Sequence, residues 1–174
     1  FPSSSYLRDK QDVHTKTSIK EYVDFVRYRD PVVKRIAQEV TRTQGSLEDK
    51  LTTLLEIVNR HVAFDARIEP QNDYVRYPLE TFVDRNGDCE DTSILYAALA
   101  KSIGGDVALL HFPPAKKGEN GHMAVGVCGN FPGTYFPFDG KQYFFAETSS
   151  DTPMKIGDIP DKFRERKARV YVVK

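Results

Sequence analysis

The sequence predicts an α+β fold in which a helical N-terminal half packs on an antiparallel β-sheet. Three observations predict it. Apolar residues recur at helical spacing through the N-terminal half, short aromatic and β-branched runs dominate after Gly105, and Gly104-Gly105 punctuates the change.

The stretch from Phe1 to Asp12 reads as a polar, loosely ordered lead-in. Residues 1–17 are set apart from a single domain over 18–174. From Ser18, the residues Ile19, Tyr22, Val23 and Val26 follow a helical period. Pro31 starts a second helix carrying Val32, Val33, Ile36, Ala37 and Val40, because proline suits a first helical turn. Ser46 followed by Asp49 is an N-cap pattern, and Leu51, Leu54, Leu55 and Val58 make one face of a helix reaching about His61. Residues 64–77 look irregular, and Pro78 to Val83 suggests a short helix. The run Asp84-Arg85-Asn86-Gly87-Asp88 forms a turn. A helix follows from Cys89, with Ile94, Leu95, Ala98, Leu99 and Ile103 on its buried face. Strands are expected at Val107–Phe112, His122–Cys128, Tyr135–Phe138, Tyr143–Glu147 and Arg169–Val173.

A length of 174 residues suits one domain with its own core. Apolar residues make up 40% and charged residues 29%, and no run is long enough to span a bilayer. Lysine plus arginine and aspartate plus glutamate both number 25, which gives no electrostatic case for nucleic acid or an anionic membrane. Two cysteines, Cys89 and Cys128, allow at most one bridge, so disulfides do not carry the fold. The chain opens Phe1-Pro2 without a methionine and reads as a processed or excised domain. Any signal or anchor would lie upstream, and an extracytoplasmic or membrane-tethered setting is expected.

Cys89 is the most informative residue. It stands at the first turn of a helix, where unpaired backbone N–H groups and the positive dipole end favour a thiolate. A lowered thiol pKa is therefore expected. Its flanks, Asp88 and Glu90-Asp91, argue against simple apolar burial. His122 opens a strand after the loop Lys117-Gly118-Glu119-Asn120-Gly121, a rigid mount for a base reaching the sulfur. His14, His61 and His111 read instead as surface or satisfied histidines. Glu147 ends the aromatic strand Tyr143-Phe144-Phe145-Ala146, where an acid is costly without a partner. It is the candidate to orient the imidazole, with Asp139 and Asp151 as alternatives.

The oxyanion would be held by the backbone N–H of Cys89 and one more donor. Tyr77 is favoured there over Tyr74 and Asn72. Asp84, Asn86 and Asp88 alternate like the opening of a calcium loop, but Cys89 replaces the sixth-position glycine and Leu95 the twelfth-position glutamate. Zinc on Cys89, Cys128 and His122 would be an incomplete, oddly spaced set. Neither metal is adopted.

Three blocks, Gly87-Asp88-Cys89-Glu90-Asp91-Thr92-Ser93, Gly121-His122-Met123-Ala124-Val125-Gly126-Val127 and Phe145-Ala146-Glu147-Thr148, together resemble the transglutaminase-like core in its prokaryotic form. The resemblance covers roughly residues 78–160. It implies a papain-like fold, a Cys89–His122–Glu147 triad and a thioester acyl-enzyme. That intermediate would be resolved by water, as in a cysteine peptidase or amidase, or by an amine in crosslinking. No cofactor is implied, and the partner is a protein or peptide substrate. Two departures stand out. The family's acid is usually aspartate, and the tryptophan of the large animal transglutaminases is absent, since the chain has none. The rival from another class is a non-catalytic domain of the same fold that binds peptide or cell-envelope material.

Overall fold

The computed structural model describes residues 4–15, 18–65 and 74–174. The chain runs α1 (Ser4–Gln11), a 3-10 helix (Ile19–Phe25), α2 (Pro31–Val40), α3 (Leu47–His61), β1 (Ala63–Phe64) and α4 (Pro78–Asp84). It continues with β2 (Asn86–Gly87), α5 (Cys89–Ser102), β3 (Val107–Phe112), β4 (His122–Val127), β5 (Tyr135–Phe138), β6 (Lys141–Ala146), α6 (Asp161–Arg164) and β7 (Arg169–Val172).

Local chemistry explains most of these boundaries. The Asp30 carboxylate accepts the Val32 N–H ahead of Pro31, and the Ser46 hydroxyl accepts the Asp49 N–H at 3.0 Å to open α3. The polar lead-in is a correction: it contains α1, which is tied down by charge. Tyr6 Oη donates to Asp84 at 2.8 Å and Lys10 Nζ at 2.7 Å, while Arg8 pairs with Asp9 and Asp30. Sequence periodicity could not register a helix held by ion pairs rather than an apolar stripe.

Helix α5 is the centre of the domain. Every residue from Asp91 to Ala100 is buried, because α2, α3 and α4 pack around it and the sheet closes its remaining side. A helix apolar on nearly all faces belongs inside a core. Tyr96, wholly buried, keeps its hydroxyl satisfied by donating to the Leu51 carbonyl at 3.0 Å.

The main sheet is antiparallel, in the order β5-β6-β4-β3-β7. Its helix-facing side joins Leu109, Met123, Val125 and Phe144 to the core around α5. Its other side carries a second cluster of Leu110, Phe112, Ala124, Phe145, Ile159 and Phe163. α6 supplies Phe163 to that cluster from an otherwise charged segment, which hid this helix from the sequence. A separate parallel pair, β1 with β2, feeds straight into α5. Among the described residues, no helix is long and apolar enough to cross a membrane.

Candidate active site

Cys89 is the first residue of α5. Asp88 caps the helix, its carboxylate accepting the N–H groups of Glu90 and Asp91 at 3.1 Å each, and Asp91 returns the bond to the Asp88 N–H at 3.3 Å. The cap leaves the Cys89 N–H as the unclaimed donor of that turn. Gly87 is required just before it. A Cβ there would meet the Asp91 Cβ at 2.7 Å, so only glycine lets β2 approach the first turn of α5 so closely.

β4 presents His122 beside this helix end. The register sets Phe112 against His122 in β3 and Val125 against Ala146 in β6. One further pair would bring Glu147 level with Ala124, diagonal to His122 on the same face. A glutamate can bridge such a diagonal. His122 Nε2 lies 2.9 Å from Glu147 Oε2. The ring also stacks on Phe163, centroids 4.5 Å apart and planes within 13°. With Nε2 engaged, Nδ1 is the ring nitrogen not bound to Glu147. The nucleophile side is tied to the same strand: the Met123 backbone N–H, next to His122, donates to the Cys89 sulfur.

The electrostatics of the thiol reverse one expectation. Burial raises the Cys89 pKa well above its ordinary value, and the charges of Glu90 and Asp88 push the same way. Sγ donates to Glu90 Oε2 at 3.1 Å, which favours the thiol, and the Met123 N–H opposes this only in part. The helix dipole is thus outweighed by two adjacent carboxylates, and the predicted lowered pKa is not found. Those carboxylates do not ionise alike. Burial and the charges of Asp91 and Glu90 push Asp88 up to about 8. Burial raises Asp91 to about 6 against the donors Arg76 N and Asp88 N. Glu90 is pushed up by burial but held below its usual value by hydrogen bonds from Asp88, Cys89, its own N–H and Tyr22. Burial likewise works against Glu147, yet its contact with His122 and the Ser149 N–H and hydroxyl hold it below the usual range.

A set of residues not singled out from sequence positions the acid. Asn59 Nδ2, from α3, donates to the Glu147 carbonyl at 3.0 Å. Thr148 Oγ1 lies 2.9 Å from Thr92 Oγ1 and 3.0 Å from Ser93 Oγ, both in the first turns of α5. The end of β6 is therefore stapled to the helix that carries Cys89. The signal was present as the hydroxyl run Thr148-Ser149-Ser150, but a polar run after a strand reads as an ordinary turn.

Other candidates lie elsewhere. Tyr77 is buried, its hydroxyl donates to the Val13 carbonyl at 2.7 Å, and its ring stacks on Phe25, so it offers no free donor for an oxyanion. Tyr74 Oη donates to Glu80 at 2.5 Å, and Asn72 lies outside the described residues. His14 is bound to Glu80 at 2.7 Å and His61 to the Phe82 carbonyl at 2.8 Å, as satisfied histidines. His111 is half-buried, with Nδ1 unpartnered. Asp84 is engaged by Tyr6, Lys10 and Arg76. Cys89 and Cys128 are both free thiols.

Comparison with known proteins agrees with this architecture. The search of curated protein sequences returned no match. Among solved structures, a protein of Cytophaga hutchinsonii named "putative cysteine protease" superposes with a TM-score of 0.54 at 14% identity, over 94% of this chain and 56% of that one. A "putative protease" from Parabacteroides distasonis gives 0.53 at 15% identity, over 75% and 26%. Legionella pneumophila LapG, EGTA-treated, gives 0.53 at 13% identity, over 93% and 88%. The chain thus spans about half of the first protein and a quarter of the second, and at these identities the likeness is one of fold. The family model of the transglutaminase-like superfamily matches residues 34–140, which hold α5 with its leading cysteine and β4 with its leading histidine. On that match, over more than half its length, the chain belongs to the transglutaminase-like superfamily.

Proposed function

We propose that the chain is a cysteine-nucleophile enzyme that cleaves amide bonds through a thioester, of the peptidase or amidase kind, with Cys89, His122 and Glu147 as its triad. The observation that carries this reading is the His122–Glu147 contact at 2.9 Å on the strand whose Met123 N–H donates to the Cys89 sulfur.

Because the resting sulfur is a thiol, His122 acts as a general base at the moment of attack rather than as half of a standing ion pair. Nδ1 takes the thiol proton as sulfur bonds to the amide carbon. Glu147 stabilises the imidazolium that forms. The carbonyl oxygen becomes an oxyanion facing the Cys89 N–H. Collapse breaks the C–N bond, and His122 returns the proton to the departing amine. Water, deprotonated by His122, then attacks the thioester, releasing a carboxylic acid and restoring the thiol. An amine in place of water would give crosslinking through the same intermediate.

The carboxylates that hold Cys89 protonated are the one observation favouring a non-catalytic peptide-binding domain. Incubation with a peptide library, followed by intact-protein mass spectrometry, separates the readings. An adduct on Cys89 that disappears in Cys89→Ala and forms far more slowly in His122→Ala is the expected result. No adduct, or one equally fast without His122, overturns the catalytic assignment.

A further inference from the structure

Beside the triad, a cavity of about 350 Å³ is lined by Asn59, Arg60, Phe64, Thr92, Ser149 and Asp151, among others. Its wall is shared with the catalytic set. Ser149 donates through both its N–H and its hydroxyl to Glu147 Oε1, and Glu147 Oε2 is the atom on His122. Thr92 lies one turn along α5 from Cys89 and donates to the Asp88 carbonyl at 3.0 Å.

Asn59 gives the cavity its chemistry. It is 9% exposed, and its Nδ2 is committed to the Glu147 carbonyl at 3.0 Å. That commitment fixes the orientation of the amide and leaves Oδ1 buried with no hydrogen-bond partner. An unpaired buried acceptor is costly and is a place where a ligand donor gains most. The two hydroxyls of the lining, on Thr92 and Ser149, already spend their protons on Asp88 and Glu147, so they too offer lone pairs. The interior therefore asks for a donor. At the rim stand one exposed cation, Arg60, and one exposed anion, Asp151, which leaves no net charge to select an ionic group. Phe64, 49% exposed, adds an apolar wall for a methylene stem.

We infer that this cavity is a substrate subsite for an uncharged primary carboxamide side chain, carried on the same peptide as the amide that meets Cys89. The NH₂ group donates to Asn59 Oδ1 and the amide oxygen faces the Arg60 guanidinium, while the methylenes lie on Phe64. This assignment rests on the proposed function for the word substrate, but the binding it describes does not need catalysis.

The test uses the full chain as its Cys89→Ala variant, isotope-labelled for NMR. It is titrated separately with N-acetyl N-methylamides of glutamine, lysine, glutamate and norleucine. The glutamine probe should move the Asn59 side-chain amide and the Phe64 backbone amide, and saturate at about tenfold lower concentration than the other three, the discrimination of roughly one hydrogen bond. Arg60→Glu, a change at an exposed position, makes the rim anionic and should transfer the preference to the lysine probe. Equal shifts with all four probes, or none at Asn59, overturn the subsite. Acyl-enzyme formation by the wild type is read separately, so its absence would refute the catalytic reading while leaving the titration to decide the cavity.

Discussion

Replacing Glu90 with glutamine is expected to lower the pKa of the Cys89 thiol. In the native chain, Glu90 Oε2 sits 3.1 Å from Sγ, accepts its hydrogen bond and repels the thiolate. At that separation two unit charges interact by about 5 kcal/mol at an effective dielectric near 20, and by about 1.3 kcal/mol in bulk water. Both groups are half-buried, so the value falls between these limits. One response offsets the gain. Asp88 is held up to about 8 partly by the Glu90 charge, and with that charge gone it ionises more readily beside the sulfur. The net fall is then about 2 pKa units, roughly 2.7 kcal/mol. Thiolate absorbance against pH measures it directly, in a Cys128→Ser background so that one thiol is read. Alkylation by iodoacetamide at neutral pH should quicken about tenfold. The larger thiolate fraction is offset by nearly half on a logarithmic scale, because a less basic sulfur is less nucleophilic. A midpoint that stays put or rises would show that the carboxylates do not set the state of this thiol.

Thr148→Val removes the contacts with Thr92 and Ser93 and leaves their hydroxyls short of a partner, which should cost about 1–3 kcal/mol in denaturant unfolding. Acyl-transfer rate should fall with it, at little change in KM. Glu147→Asp retracts the carboxylate by about one methylene, roughly 1.3 Å, from a partner now at 2.9 Å. Single-turnover acylation should slow by about a hundredfold, within the general acid–base range, and an unchanged rate would point to another acid. For Asp88, the native chain holds the proton to about pH 8, whereas the unfolded chain releases it near 3.9. Between those values the native state binds the extra proton, so this group's contribution to stability is full below about pH 4 and is lost as the pH rises through about 8. Asp88→Asn keeps a good helix cap and should flatten that slope in melting curves taken across the range.

The sequence made the frame legible where one local rule decided the outcome. Pro31, Ser46 and Gly104-Gly105 mark helix ends that the structure keeps, and the runs at Val107–Phe112 and Tyr135–Phe138 are strands with those limits. The placing of Cys89 at a helix start and His122 at a strand start follows from the same rules. Illegible features depend on distant partners. α1 exists through ions on Asp84 and Asp30, far along the chain. Phe163 looks like one aromatic in a charged stretch until the sheet supplies Phe112 and His122 around it. The thiol's ionisation was misjudged because one field was considered, the helix dipole, while the charges beside it were visible in Asp88 and Glu90 themselves. Tyr77 was favoured for chain proximity, and folding spends its hydroxyl on Val13.

The placement of β7 and α6 bears on the order in which the domain matures. β7 is an edge strand of the sheet, hydrogen-bonded to β3, and α6 brings Phe163 flat against the imidazole of His122. During synthesis the ribosome releases Cys89, His122 and Glu147 well before residues 161–172. Until that stretch emerges, β3 has an open edge and one face of His122 has no cover. A nascent chain therefore exposes its thiol before it possesses a seated base, and reactivity is switched on by the last part of the sheet to arrive.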